Sequence, residues 1–143
     1  MKRSFWSILT VFLSVVLFSS CGASKKDVSS LISGRWNILE VAGEKITGDK
    51  LPFIEFDTAE KRLHGNAGCN NFNAGYQVDP AKISSFKISQ AVSTMMACPD
   101  METEGKVLKA LDKVASVKKA ASATGLQLLD NNGAVLFLLE KAL

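Results

Sequence analysis

Two cysteines in unusual settings restrict this chain more than any other feature. Gly65-Asn66-Ala67-Gly68-Cys69-Asn70-Asn71-Phe72 comes first, and Ser93-Thr94-Met95-Met96-Ala97-Cys98 follows it, with Cys69 and Cys98 29 positions apart. In an oxidising compartment two such thiols usually join as a disulfide. Closing a loop of that length stabilises a fold by about 3.5 kcal/mol on the chain-entropy view. A competing reading makes Cys69 a free nucleophile with His64 as its base, but that chemistry also needs an orienting group and an oxyanion donor, which the sequence does not name. Two Cys and one His at these spacings fit no zinc pattern.

The start of the chain indicates the compartment. Lys2 and Arg3 precede an almost wholly apolar run, Phe5 to Phe18, and then Ser19-Ser20-Cys21. This is the layout of a secretion signal over residues 1–20. As a helix the run would measure about 21 Å, short of a hydrocarbon core of about 30 Å. A cysteine directly after two small residues resembles the bacterial lipobox, in which that thiol is acylated and becomes the new N-terminus. In the usual pattern a leucine stands three positions before the cysteine; here Phe18 takes that place and Leu17 lies one further out. Several acyl chains on one residue exceed the two signals that stable anchoring needs. The expected address is the cell envelope, lipid-anchored at Cys21, at the outer membrane and facing the periplasm.

The whole chain carries 17 basic and 14 acidic residues. Without residues 1–20, and hence without Lys2 and Arg3, the balance is 15 to 14, or +1. No cationic face suggests nucleic acid as a partner. Residues 21–31 read as the lipidated cysteine and a polar tether, and 32–143 as one domain with a single modest core.

Within that domain, short strands alternate with turns. Trp36–Val41, Pro52–Phe56, Arg62–Asn66, Phe72–Val78, Ile83–Ile88, Leu126–Leu129 and Ala134–Leu139 are the predicted strands. Pro52, Ile54 and Phe56 share one face at period two. Asp130-Asn131-Asn132-Gly133 predicts a hairpin in which Asn132-Gly133 supplies positive φ angles. One segment has helical period, with Val107, Leu108, Leu111, Val114 and Ala115 on one face. Pro99 and Asp100 mark its start, with Asp100 as N-cap, and Asp100, Glu102 and Glu104 place negative charge in its first turn. Gly105 inside this run costs about 1 kcal/mol against alanine. The fold class is α+β, mainly antiparallel, with one helix docked on the sheet.

The remaining chemistry-bearing residues have structural readings. The asparagines and glycines of 65–75 suit tight or left-handed backbone. Adjacent Met95 and Met96 would point opposite ways on a strand, which places at least one of them in the core. No phosphate loop, serine elbow or paired acid stands out. A non-enzymatic protein without a cofactor is the expectation.

Taken together, these residues resemble the META domain family, which includes the HslJ-like bacterial lipoproteins. The likeness runs from Trp36 to Leu139. It rests on Pro52-x-Ile54-x-Phe56, Gly65-x-x-Gly68-Cys69-Asn70-x-Phe72, Tyr76, Thr94-x-Met96-Ala97-Cys98, Glu104-x-x-Val107-x-x-x-Leu111 and Leu126-x-Leu128-x-Asp130-x-x-Gly133. The resemblance implies a strongly curved sheet or partial barrel with one helix, and an envelope protein loosely associated with heat-shock stress or antibiotic tolerance. It carries no established enzyme activity. Gly65, Gly68, Asn70, Phe72, Tyr76, Thr94 and Met96 are the family-motif positions. The function so implied is binding or stress protection, with an unknown envelope protein or small ligand as partner. The alternative is a pilot-type binder of ligand or peptide, or a hydrolase inhibitor, using the concave face of the sheet.

If Cys21 is the acylated residue, labelled palmitate enters the protein and Cys21→Ala abolishes the labelling. An unlabelled protein in the soluble fraction would instead mean ordinary signal cleavage.

Overall fold

The alternating segments become strands, and the strands close on themselves. The computed structural model describes residues 28–79, 82–99, 101–122 and 124–143. The secretion signal, Cys21, most of the tether and Asp100 lie outside the described residues. In chain order the elements are α1 (Val28–Ile32), β1 (Gly34–Val41), β2 (Glu44–Lys45), β3 (Phe53–Asp57), β4 (Arg62–Asn66), β5 (Asn71–Asp79), β6 (Lys82–Ile88), β7 (Val92–Ser93), α2 (Glu102–Leu111), β8 (Ser116–Lys119), β9 (Gly125–Leu129) and β10 (Val135–Lys141).

Every strand pairing is antiparallel, in the order β10-β9-β8-β6-β5-β4-β3-β1, and β1 then pairs with β10. The curved sheet is therefore a closed barrel of eight strands, with β2 added beside β1 and β7 beside β5. A ring of this size is just wide enough for side chains to fill it. Phe72, Phe86, Phe137, Ile38, Ile54, Leu63, Leu126, Leu128 and Leu139 do so, each almost fully buried. Phe56, Tyr76 and Phe86 meet edge-on or tilted, with ring centroids 5.0–5.9 Å apart. The concave face is thus occupied by the protein's own core.

Two bulges tune this packing. In β1 the register shifts between Ile38 and Glu40, so Trp36, Ile38 and Val41 face inward although their spacing breaks period two. In β10 a shift between Val135 and Phe137 lets Leu136 and Phe137 both be buried. Gly65 marks a close approach, because a Cβ there would run into the Phe53 carbonyl and the Phe72 ring.

Helices seal the barrel. Val28 and Ile32 of α1 join the core cluster, and the Trp36 Nε1–H donates to the Ile32 carbonyl at 2.6 Å. Lys141 Nζ reaches the Ser33 carbonyl beside them. The folded unit consequently begins within the stretch that reads as a tether. At the other end α2 buries Glu104, Val107, Ala110 and Leu111. It stops at Leu111, earlier than its apolar period suggests; Val114 is buried from the following turn, its N–H donating to Leu111. The N-cap position falls on Met101, which makes no side-chain capping bond. Lys106 bridges Glu102 at 2.7 Å and Glu44 of β2 at 2.5 Å. Its bonds to Glu102 and then Glu44 hold the ammonium's pKa above the ordinary lysine value.

Turn chemistry departs from expectation in two places. Ala42 and Gly43 both take positive φ, 51° and 83°, and form the tight two-residue hairpin between β1 and β2. In the loop before β10, Gly133 alone is left-handed and Asn132 is not. There Asp130 Oδ1 accepts the N–H groups of Asn132 and Ala134, so a wider Asp-capped loop replaces the two-residue turn.

A Cβ placed on Gly105 meets nothing within 4 Å. Gly105→Ala should therefore raise stability by about 0.5–1 kcal/mol through helix propensity alone. Gly65→Ala should lower it by about 2–3 kcal/mol through overpacking. Urea midpoints at unchanged slope would check both.

Candidate functional site

The β4–β5 hairpin tip is where the sequence motif gathers. Asn66 pairs with Asn71, the Ala67 N–H donates to the Asn70 carbonyl at 2.9 Å, and Gly68-Cys69 form the tip. Gly68 takes φ 124°, a conformation that disfavours a side chain. Asn66 fixes the tip locally: its oxygen accepts the Gly68 N–H at 2.9 Å, and its amide nitrogen donates to the Cys69 carbonyl and to Asn71 Oδ1.

Asn70 is completely buried and every hydrogen-bonding position of its side chain is used. Its oxygen accepts from Thr94 Oγ1 at 2.6 Å and from the Met96 N–H at 2.8 Å. Its nitrogen donates to the Met96 carbonyl at 3.0 Å and to both Glu104 oxygens at 3.0 and 3.1 Å. The Asn70 backbone N–H donates to Glu104 Oε2 at 2.8 Å. Two donors and two lone pairs are all an asparagine side chain has, and here each has a partner. Toward Met96 the amide acts as a short piece of β-strand, pairing with both backbone groups of one residue.

Glu104 is 5% exposed and is the third residue of α2, where the helix dipole favours negative charge. The single side chain of Asn70 thus ties the hairpin to the 94–96 segment and to the helix. The Cys69–Cys98 disulfide fastens two of these parts covalently, the hairpin tip and the 94–98 strap, with Cα atoms 6.2 Å apart. Cys69 is therefore no free nucleophile. His64 lies on the outer face of β4, its Nε2 3.5 Å from a Glu55 carboxylate oxygen.

The motif residues divide by role. Gly65, Phe72 and Tyr76 serve the barrel wall and its core; Gly68, Cys69, Asn70, Thr94, Met96 and Cys98 surround the hub. Met96 contributes only its backbone. Met96 is 58% exposed and Met95 97%, so neither fills the core. The 94–98 strap is held by Asn70 and the disulfide and has no need of apolar burial. Glu104 is the hub residue that reading for chemistry missed; its place in a helical first turn gave it an ordinary explanation.

Beside the hub lies an open groove of about 700 Å³ on the outside of the barrel. It crosses one register row, Asn37–Phe53–Asn66–Asn71, contributed by β1, β3, β4 and β5 in turn. Arg35 lies diagonally to Phe53, with its guanidinium carbon 3.5 Å from the ring centroid. Asp49, Lys50 and the disulfide's Cys69 complete the rim. Sequence reading missed this row because its members are one residue per strand, joined only by register.

The META domain family profile matches residues 29–142. A protein from Burkholderia xenovorans solved by NMR is similar in fold, with TM-score 0.60 at 18% identity, covering 80% of this chain and 86% of its own. A DUF4847-family protein from Bacteroides vulgatus is similar too, with TM-score 0.58 at 15% identity, covering 79% and 96%. No curated protein matches the sequence.

Asn70→Ala would strip the side-chain amide from the buried Glu104 carboxylate, the Thr94 hydroxyl and the Met96 backbone, leaving Glu104 only the residue-70 N–H, and should cost about 3 kcal/mol. Exposed Asn73→Ala should stay within about 0.5 kcal/mol. In a denaturation cycle the Asn70→Ala/Glu104→Ala double variant should cost clearly less than the sum of the singles.

Proposed function

The chain belongs to the META domain family, and from that premise we propose a non-enzymatic binding module of the bacterial cell envelope. It is held by lipid at Cys21, on the periplasmic face of the outer membrane, and binds through the outer groove between Arg35 and Asn71. One observation carries this reading. The barrel interior is filled by core side chains, whereas the outer groove presents the head groups of Arg35, Asn37 and Lys50, which make no ion pair or hydrogen bond among the described residues.

In this reading a pilot-type or inhibitory role is also exercised from the outside, because core side chains of the described strands occupy the concave face. The tether favours action close to a membrane. The association with stress rests on the family resemblance alone, and in this reading it follows from what the groove holds.

A photo-crosslinking residue at Lys50, on the groove rim, should form adducts with envelope material in living cells. The same residue at Lys118, exposed on β8 across the barrel, should not. Equal labelling from both positions, or none from Lys50, would overturn the proposal.

A further inference from the structure

Resting on that groove reading, we infer that its ligand is a carboxylate-bearing saccharide of the uronate class. The argument starts from what the groove residues leave unspent. The Arg35 guanidinium carbon sits 3.5 Å from the Phe53 ring centroid, and among the described residues the guanidinium makes no ion pair or hydrogen bond, although Glu55 is its neighbour across the ladder. The Glu55 carboxylate lies against His64 instead. Stacking fixes the guanidinium plane and leaves its N–H edge free, the geometry that takes a carboxylate with two parallel bonds.

Among the described residues the Lys50 ammonium and the Asn37 side-chain amide have no hydrogen bond or ion pair either. Asn71 is aimed by its neighbour. Because Asn66 donates to Asn71 Oδ1 at 3.0 Å, the Asn71 amide oxygen is engaged and its NH2 group is left to donate. The groove therefore offers a guanidinium, an ammonium and an oriented NH2, against one carboxylate, Asp49. Such a donor-rich surface suits an acidic ligand rich in acceptor oxygens.

Size and polarity narrow the class. From Asn37 to Asn71 the row crosses three strand spacings, roughly 14 Å, about the reach of two or three sugar rings. Asn37, which both donates and accepts, and Asp49, which accepts, suit hydroxyl groups. A peptide would want apolar pockets for its side chains, and the groove has only Leu51 and the half-buried Phe53. The Arg35 fork would hold the carboxylate while the amide row holds ring hydroxyls.

The test is calorimetric titration of the full-length protein in detergent micelles. The probes are a glucuronate–glucose disaccharide, neutral cellobiose and the acidic peptide Ala-Ala-Glu. The expected result is binding of the uronate at least tenfold tighter than cellobiose or the peptide. Arg35→Ala should lose at least tenfold for the uronate while melting like the parent, and Arg35→Lys should recover only part of it. A longer polyuronate binding more tightly per chain would identify a polymer as the source, and equal affinity a free small acid.

Equal binding of cellobiose, preference for the peptide, or indifference to Arg35→Ala would overturn the assignment. If no probe binds yet crosslinking from Lys50 persists, the ligand class is wrong and the groove reading stands. If both fail, both fall.

Discussion

A single buried amide organises one end of this molecule. Burying Asn70 removes a strongly solvated group from water, which is tolerable only when each of its hydrogen-bonding positions is satisfied. Satisfying them requires a particular hydroxyl, one backbone unit of the 94–98 strap and a carboxylate on α2 to arrive together. The hub therefore acts as a gauge for the fold: strap, hairpin and helix are correct jointly or the penalty falls due. The disulfide beside it lowers the entropy of the unfolded chain, a different kind of contribution from the same place.

The hub also determines what lies outside it. Asn66 and Asn71 flank the tip that Asn70 anchors, and Asn66 sets the direction of Asn71's amide. The exterior row thus inherits its rigidity from an interior network a residue or two away. Groups mounted on strands keep their geometry better than groups on free loops, and here the supporting layer of the proposed groove is the family motif itself.

Much of the architecture was legible in the chain. Period two in Pro52–Phe56 and the apolar spacing around Val107 and Leu111 located β3 and α2, and the cysteines were rightly paired. What escaped detection had physical causes. The β2, β7 and β8 strands are too short for alternation to register, and α1 has a polar lead-in that hides Val28 and Ile32. Inward-facing positions in β1 and β10 are out of phase because of bulges. Closure of the sheet depends on β1 meeting β10, a contact between the ends of the domain that no local pattern encodes. Asn132 failed to turn left-handed because Asp130 captured the loop's N–H groups first. The motif residues were recognisable from the sequence; their use by Glu104 was not, since a glutamate in a first helical turn has a sufficient local reason to be there.

That β1 and β10 are neighbours has one more consequence. Trp36 stands opposite Lys141, and the Ala142 N–H donates to the Arg35 carbonyl, so the chain leaves the ring where it entered. Entry and exit share a single pole, while α2 and the hub occupy the opposite one. The first strand thus begins, and the last strand ends, at the same pole. A pull on the two ends would peel β1 from β10 one hydrogen bond at a time, opening the barrel like a seam. The disulfide, at the far pole, would take none of that load until the seam had already parted.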